Sequence, residues 1–264
     1  MSTSDHNILP STGSPRIVAV VNQKGGVGKT TTTINLGAAL ADLGERVLLV
    51  DLDPQSNTTS GLGQDPRRER LTVYQLLSGE ATVGEVAIAT EVAHMDLVPA
   101  TLDLAGAEIE LASLPERETR LRTALAGAGA YTRILIDCPP SLGLLTLNAL
   151  AAANEMLVPL QAEYFALEGL GHLLYTHQLV RAKLNPALEV GGIVLTQFDT
   201  RTTLAWDVLA EARRAYPDKV LKTIIPRNVR VSEAPSHGRP VTLYDPACRG
   251  TAAYRELALE VLSR

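Results

Sequence analysis

The most constraining feature of this sequence is a glycine-rich segment near its start, residues 22–31, which reads NQKGGVGKTT. It follows an apolar run, residues 17–21, and precedes an amphipathic stretch, residues 31–43, so we expect it to join a strand to a helix. Its glycines allow the backbone to curl so that successive amide groups point at phosphate oxygens, and the helix N-terminus adds a partial positive charge. The segment therefore predicts a phosphate-binding loop.

Side chains within this loop have distinct expected roles. Lys29 is placed to reach the β- and γ-phosphates of a nucleotide, the Thr30 hydroxyl to ligate Mg²⁺, and Thr31 to contact the α-phosphate. The standard P-loop pattern has glycine where this sequence has Gln23, and a second lysine, Lys24, follows it. The loop residues expected to bind ATP are Lys24, Gly25, Gly26, Val27, Gly28, Lys29, Thr30 and Thr31.

Two later apolar runs end in carboxylates. Residues 47–50 are followed by Asp51 and Asp53, and residues 133–136 by Asp137, which has the form of a Walker B aspartate. We expect Asp137 to hold Mg²⁺ through its water shell and Asp53 to polarise the attacking water. A single aspartate at a strand end is more often a turn former or a helix cap. The order of these segments after a phosphate loop favours the catalytic interpretation.

Apolar runs and amphipathic stretches alternate along the chain. The expected strands are residues 17–21, 47–50, 96–98, 133–136, 156–159, 192–196 and 220–225, and the expected helices include 31–43, 116–126, 144–153, 169–184, 204–215 and 251–262. The runs lack polar alternation, which is typical of a parallel sheet buried on both faces. The sequence predicts an α/β fold, a doubly wound, mostly parallel sheet flanked by helices, as one domain over residues 16–264 after a disordered lead-in, residues 1–15. Residues 60–94 are less regular and are interpreted as a surface excursion.

Charge is distributed unevenly. The formal net charge of −5 argues against nucleic-acid binding, but from Arg181 to Arg264 thirteen Lys and Arg stand against nine Asp and Glu. A basic C-terminal third can bind polyanions, and arginine contacts to phosphate would not depend on DNA sequence. No apolar run reaches the ~18 residues of a membrane span. The first residues lack the basic segment followed by an apolar segment that forms a signal peptide, so a cytoplasmic location is expected.

Four segments resemble the ParA/Soj partitioning ATPases: NQKGGVGKTTT, DLDPQ, DCPPSLG and the late segment 225–240, IPRNVRVSEAPSHGRP. The loop has the deviant Walker A form, K-G-G-x-G-K-[ST], of that family of P-loop NTPases. The similarity extends from Arg16 to the C-terminus, and the late segment is its most specific part.

The resemblance implies a set of roles. Lys24 corresponds to the signature lysine that reaches the partner subunit's phosphates in an ATP-dependent sandwich homodimer, and Asp53 to the catalytic aspartate that acts with both loop lysines. Pro226 and Asn228 correspond to residues that contact the base. Arg201 and Arg230 match positions used for non-specific DNA binding, with Arg227, Arg213 and Arg214 as further candidates in the same basic region. A ParB-type protein that stimulates hydrolysis, and a location on the nucleoid, are also implied.

Three rival interpretations are open at this point. A MinD-like ATPase would use a basic C-terminal helix to bind membranes, but residues 251–262 include Glu256 and Glu260 without a lysine cluster, so no membrane partner is expected. An iron–sulfur ATPase would need paired cysteines at an interface, which Cys138 and Cys248 do not provide. A partitioning ATPase with an additional N-terminal DNA-binding domain would need more than the about fifteen residues that precede the first strand.

Overall fold

A computed structural model describes residues 13–68 and 71–264, so residues 1–12 of the expected lead-in lie outside the described residues. Within these ranges the chain forms an eight-stranded sheet of order β3-β4-β2-β5-β1-β6-β7-β8. The strands are β1 (Arg16–Val20), β2 (Val47–Asp51), β3 (Ile88–Ala89), β4 (Met95–Val98), β5 (Arg133–Asp137), β6 (Glu155–Gln161), β7 (Glu189–Phe198) and β8 (Val220–Pro226). Every neighbouring pair is parallel except β3 with β4, which confirms a mostly parallel sheet.

Helices cover both faces of the sheet. They are α1 (Lys29–Asp42), α2 (Asn57–Gly61), α3 (Val73–Ser78), α4 (Val83–Val86), α5 (Leu104–Leu111), α6 (Arg120–Leu125), α7 (Leu144–Ala152), α8 (Ala166–Lys183), α9 (Thr203–Ala215), α10 (Val229–Glu233), α11 (Val241–Tyr244) and α12 (Arg249–Leu262), with a 3-10 turn at Ala234–His237. No helix in the described part of the chain has the length and apolar character to cross a membrane.

Two hydrophobic clusters form the core, and they explain why the strands read as continuous apolar runs. One contains Ile34 and Leu40 of α1 with Tyr254 and Leu257 of α12. The other is formed by side chains of α3, α5, α7, α8 and α9, among them Leu76, Leu104, Leu145, Leu170 and Leu209. All five residues of β2 are buried between the two layers. The sheet is therefore doubly wound, as the sequence predicts.

The segment 60–94 is the main departure from expectation. It is not a surface excursion, because α3 and α4 bury their apolar residues, Val73, Leu76, Leu77, Val83 and Val86, in the core. Each helix starts at a threonine whose backbone N–H donates to a side chain three residues on, Thr72 to Gln75 Oε1 at 2.9 Å and Thr82 to Glu85 Oε2 at 2.8 Å. Helices this short contain too few residues to display a clear 3.6-residue period. The helix expected at residues 116–126 is also shorter and begins at Arg120.

The order of the central strands positions the site. β5 lies between β1 and β2, and all three run in parallel. Asp137 at the end of β5 is in register with Val20 on one side and with Asp51 on the other. The loops that leave these three strands therefore converge at one edge of the sheet, which is where ligands bind in folds of this class.

Candidate functional site

The phosphate loop connects β1 to α1, as predicted. Gly26 and Gly28 have φ of +76° and +87°, in the left-handed region that favours glycine. Gly28 occupies the N-cap of α1 and has no side chain with which to cap the helix. The first amide groups of α1 are therefore left to an anion, and the helix dipole favours negative charge at this point.

Lys29 lies inside the loop and its side chain is buried. Its Nζ donates to the backbone carbonyl of Lys24 at 3.1 Å, across the loop. Burial lowers the pKa of Lys29, while the nearby carboxylates of Asp137 and Asp53 act in the opposite direction. A cation held in this position faces the space enclosed by the loop amides, which suits a phosphate group.

Asp137 has one satisfied and one unsatisfied oxygen. Its Oδ2 accepts hydrogen bonds from Thr30 Oγ1 at 2.7 Å and Thr58 Oγ1 at 2.8 Å. Its Oδ1 is buried and has no hydrogen-bond partner among the described residues. Burial raises the pKa of this carboxyl. An unpartnered carboxylate oxygen beside two hydroxyls is an arrangement that a hydrated Mg²⁺ would satisfy, so these residues fit the ion.

The two aspartates that follow β2 differ in their contacts. Asp51 is fully buried and uses both oxygens, because Oδ1 accepts from Asp53 N at 3.2 Å and Oδ2 accepts from Thr59 N and Oγ1 at 2.8 and 2.7 Å. Burial and the neighbouring Asp137 raise the pKa of Asp51. Among the described residues, the Asp53 carboxylate accepts one hydrogen bond, from Gln55 N at 2.9 Å. Asp51 therefore anchors the start of α2, and Asp53 has the oxygen that can engage a water.

Lys24 points to the rim of the loop. Its ammonium forms an ion pair with Glu163, in the connection between β6 and α8, and its backbone N–H donates to Asn22 Oδ1 at 3.0 Å. Both charged side chains are close to half exposed, at 46% and 44%. The second lysine of the loop is thus held outside the phosphate-binding space of its own chain.

A cavity of about 170 Å³ adjoins the loop. Among its lining residues are Gly28 and Thr31 from the loop region, and Pro226 and Asn228 from the end of β8. The two residues expected at the base are therefore brought next to the phosphate site. Arg227, which the sequence assigns to DNA binding, also lines this cavity.

Some residues of the site were not predicted from the sequence. Thr58 donates a hydrogen bond to the same Asp137 oxygen as Thr30 does. Thr196 and Gln197 at the end of β7 contact the phosphate loop. The available signals were the hydroxyl-rich run that follows DLDPQ and the position of Thr196 at the carboxyl end of a parallel strand. Neither signal identifies a partner by itself.

The candidate DNA-binding arginines fall into two groups. Arg227 and the 199–201 turn are adjacent, since Arg227 N donates to the Phe198 carbonyl at 3.1 Å, and Arg230 follows on α10. Arg213 and Arg214 lie in the last turn of α9, about 15 Å along the helix from its start near Arg201.

Three of the five arginines are paired with carboxylates. Arg201 contacts Asp199, Arg230 contacts Glu233 and Asp245, and Arg214 contacts Glu211. All five are exposed, so a phosphate backbone could exchange with these partners.

Comparison with known proteins identifies the family. The family model described as an AAA domain matches residues 15–190. The chromosome partitioning protein ParA of Caulobacter vibrioides is 55% identical over 252 residues, covering 94% of each chain. The sporulation initiation inhibitor protein Soj of Bacillus subtilis is 54% identical, covering 93% of this chain and 98% of its own. The chain belongs to the ParA/Soj family of chromosome-partitioning ATPases.

A solved structure of a relative is similar over most of the chain. A Mycobacterium smegmatis structure described as cobyrinic acid a,c-diamide synthase, with bound ATP analogue and magnesium, superposes with a TM-score of 0.83 at 42% identity. The match covers 94% of each chain. This ParA/Soj family member is accordingly a nucleotide-binding ATPase, and Mg²⁺ accompanies the nucleotide within its family.

Proposed function

We propose that this chain is a segregation ATPase whose ATP-bound homodimer binds DNA without sequence preference and is released when a ParB-type protein stimulates hydrolysis. The observation that carries the proposal is the position of Asn228. Asn228 lines the cavity beside the phosphate loop, and its Oδ1 accepts from Arg230 N at 2.8 Å to cap α10. One residue thus connects the nucleotide pocket to a candidate DNA-binding arginine. Such a protein works in the cytoplasm, on the nucleoid.

The residues expected to bind ATP and Mg²⁺ have the following proposed roles. The loop amides from Gly25 to Gly28 and the Lys29 ammonium bind the β- and γ-phosphates, and Thr31 contacts the α-phosphate. Thr30 and Asp137 would hold Mg²⁺, which screens phosphate charge when bound. Asp53 orients the attacking water. Pro226 and Asn228 contact the base.

Dimerisation depends on Lys24 in this proposal. Its pairing with Glu163 joins two side chains that are each about half exposed. An exposed ion pair of this kind contributes roughly 0–1 kcal/mol, so Lys24 leaves Glu163 at little cost when a partner subunit's phosphate is offered. The resulting charge-assisted contact is buried between two subunits and is stronger than the one it replaces.

DNA binding then follows from dimerisation. One subunit offers a few arginine contacts around Arg201 and Arg230, which are too few for tight binding at physiological salt. Two subunits in one rigid body double the contacts, and the second set binds at a high effective concentration. At a slope of about −0.9 per phosphate contact, six to eight contacts give a dependence of log K on log salt of roughly −5 to −7.

Fluorescence anisotropy on two unrelated duplexes tests the proposal. We expect tight binding with ATP, weak binding with ADP, and equal affinity for both duplexes. Arg230→Ala, and more weakly Arg201→Ala, should reduce DNA affinity while ATP-dependent dimerisation persists. Arg181→Ala is a matched control, because Arg181 is half-exposed and also paired, with Glu189 at 3.1 Å, but lies at the end of α8. Equal affinity with ADP and ATP, or undiminished binding by the Arg201/Arg230 double variant, would contradict the proposal.

The MinD-like alternative has less support from the C-terminal helix. α12 buries Tyr254, Leu257 and Ala258 in the core, and Glu260 accepts from Lys222 N and Thr223 N, both at 2.8 Å. Its apolar face is therefore covered by α1 and β8. Co-sedimentation with anionic liposomes tests this alternative directly, and we expect no ATP-dependent pelleting.

A further inference from the structure

The 196–201 turn, which comprises the end of β7 and the residues that follow it, holds the outer side of the phosphate loop. A loop that points its amides inward turns carbonyls outward, and those carbonyls need donors. Thr196 Oγ1 donates to the Val27 carbonyl at 2.7 Å, and Gln197 Nε2 donates to the Gly26 carbonyl at 2.6 Å. Two consecutive side chains thus brace two consecutive peptides of the loop.

Gln197 adopts a backbone conformation that glutamine rarely uses. Its φ is +49°, in the left-handed region, which costs about 1–2 kcal/mol for a residue with a Cβ. Such a conformation persists only where its surroundings impose it. Here the side-chain bond to Gly26 and the pairing of Phe198 with Pro226 fix the residue from both sides.

The same turn holds Arg201. Asp199 accepts from Arg201 Nε at 2.9 Å and Nη2 at 2.6 Å, and also from Arg201 N at 3.0 Å. The Arg201 guanidinium holds the pKa of Asp199 well below its usual range. Trp206 Nε1 donates to the Thr200 carbonyl at 3.1 Å and its ring packs edge-on against Phe198. The segment is therefore bonded to the phosphate loop at its start and to Arg201 at its end.

We propose that the 196–201 turn connects the phosphate loop to the DNA surface, with Gln197 as a positioning residue for the loop and Asp199 as the group that withholds Arg201 from DNA. Phosphate binding fixes the Gly26 and Val27 peptides, and their carbonyls fix Thr196 and Gln197. A change in these bonds lets the strained Gln197 backbone relax, which moves Asp199 relative to Arg201. The proposal rests on the DNA binding proposed above.

The first test concerns Gln197 and nucleotide affinity. Gln197→Gly removes the amide donor but also relieves the left-handed strain, so a purely structural role predicts an unchanged or higher Tm and unchanged affinity. A positioning role predicts a similar Tm with affinity for a fluorescent ATP analogue reduced about two- to tenfold, the value of one hydrogen bond. Gln197→Glu, which places an oxygen against the Gly26 carbonyl, should weaken binding further. Gln178→Ala, an exposed glutamine on α8, is the control.

The second test concerns Asp199 and DNA. Asp199→Asn can still accept from Arg201 N but no longer holds the guanidinium by charge. We expect DNA affinity to rise about threefold or more per subunit with ADP, and less with ATP, so that the ratio between the two states falls. Asp207→Asn removes the same charge from the exposed surface of α9 without releasing an arginine, and should change both states equally.

The outcomes separate this inference from the function on which it rests. If the wild-type protein shows no ATP-dependent DNA binding, the proposed function fails and the link to Arg201 fails with it. If the wild-type protein is ATP-dependent and either Gln197→Gly or Asp199→Asn behaves like its control, the inference is wrong and the function stands. Reduced nucleotide affinity in the first variant together with a reduced ATP-to-ADP ratio in the second supports it.

Discussion

Gly238→Ala should destabilise the protein by disturbing a contact between two glycines. Gly238 ends the 3-10 turn of the late segment with φ of +67°, and it packs against Gly63, which follows α2 with φ of +78°. A Cβ on residue 238 would lie 2.7 Å from Gly63 Cα and 3.0 Å from Gly63 N. These are backbone atoms, so no side-chain rotation can relieve the overlap. The contact joins α2, which carries the Asp137 donor Thr58, to the segment after Arg230.

The size of the effect follows from two terms. A left-handed alanine costs about 1–2 kcal/mol, and an overpacked contact costs about 1–3 kcal/mol more. The free energy of unfolding should therefore fall by about 2–5 kcal/mol. At about 2–4 °C per kcal/mol for a chain of this size, Tm should fall by roughly 4–20 °C.

Two further glycine substitutions allow the predicted stability changes to be ranked. Gly63→Ala has a similar backbone cost, but its Cβ would lie 3.3 Å from Gly238 O. Because Gly238 then has to move less, the free energy of unfolding should fall by less than in Gly238→Ala. Gly171 lies within α8, and a Cβ added there would have no other atom within 4 Å. Gly171→Ala should therefore raise the free energy of unfolding by about 0.5–1 kcal/mol. Thermal unfolding by circular dichroism, without nucleotide and at one protein concentration, measures all three. A Tm for Gly238→Ala equal to that of Gly171→Ala would refute the reasoning.

Three further predictions concern the nucleotide site. Lys29→Ala should abolish tight nucleotide binding, whereas Lys24→Ala should leave monomeric binding largely intact and block dimerisation in size-exclusion chromatography with an ATP analogue; a normal Lys24→Ala dimer would exclude a role across the interface. Asp53→Ala should bind ATP and accumulate as a dimer while hydrolysing little. If this variant hydrolyses ATP at the wild-type rate, Asp51 becomes the candidate for orienting the attacking water. Thr58→Val removes one of two hydroxyl donors to Asp137, so hydrolysis should need more Mg²⁺ for half-maximal rate, and an unchanged Mg²⁺ titration would count against the assigned site.

The strands of the central sheet could be predicted from the sequence because strands buried on both faces consist mostly of apolar residues. All seven expected strands are present, and most of their residues are apolar. β3 was not predicted, since two residues paired with β4 carry no pattern of their own. The short helices α2, α3, α4, α5, α10 and α11 were also missed. Their positions are set by caps and by tertiary packing, as Leu76 and Leu77 in the core illustrate.

The candidate site was predictable where a residue type and a strand end coincide. Asp51, Asp53 and Asp137 follow apolar runs, so parallel strands had to bring them together. Thr58 and Gln197 lie 79 and 171 residues from the groups that they contact, and a threonine or glutamine side chain can form many kinds of contact. Only the strand order determines those partners. The structure therefore adds the residues that support the site, whereas the sequence predicts those that face the ligand.

The difference between what the sequence predicts and what the structure adds is clearest for the charged residues. The sequence counts thirteen basic residues in the C-terminal third, but Arg201, Arg214 and Arg230 each face a carboxylate. An arginine that leaves Asp199 or Glu233 for a DNA phosphate exposes a carboxylate, which then takes up a cation from solution. That uptake offsets part of the cation release from DNA, so the salt dependence should be shallower than about −0.9 per contact. The slope of roughly −5 to −7 for a dimer is thus an upper bound on steepness. In the proposed function, local pairing, which net charge does not reveal, would limit how many of these arginines contact DNA.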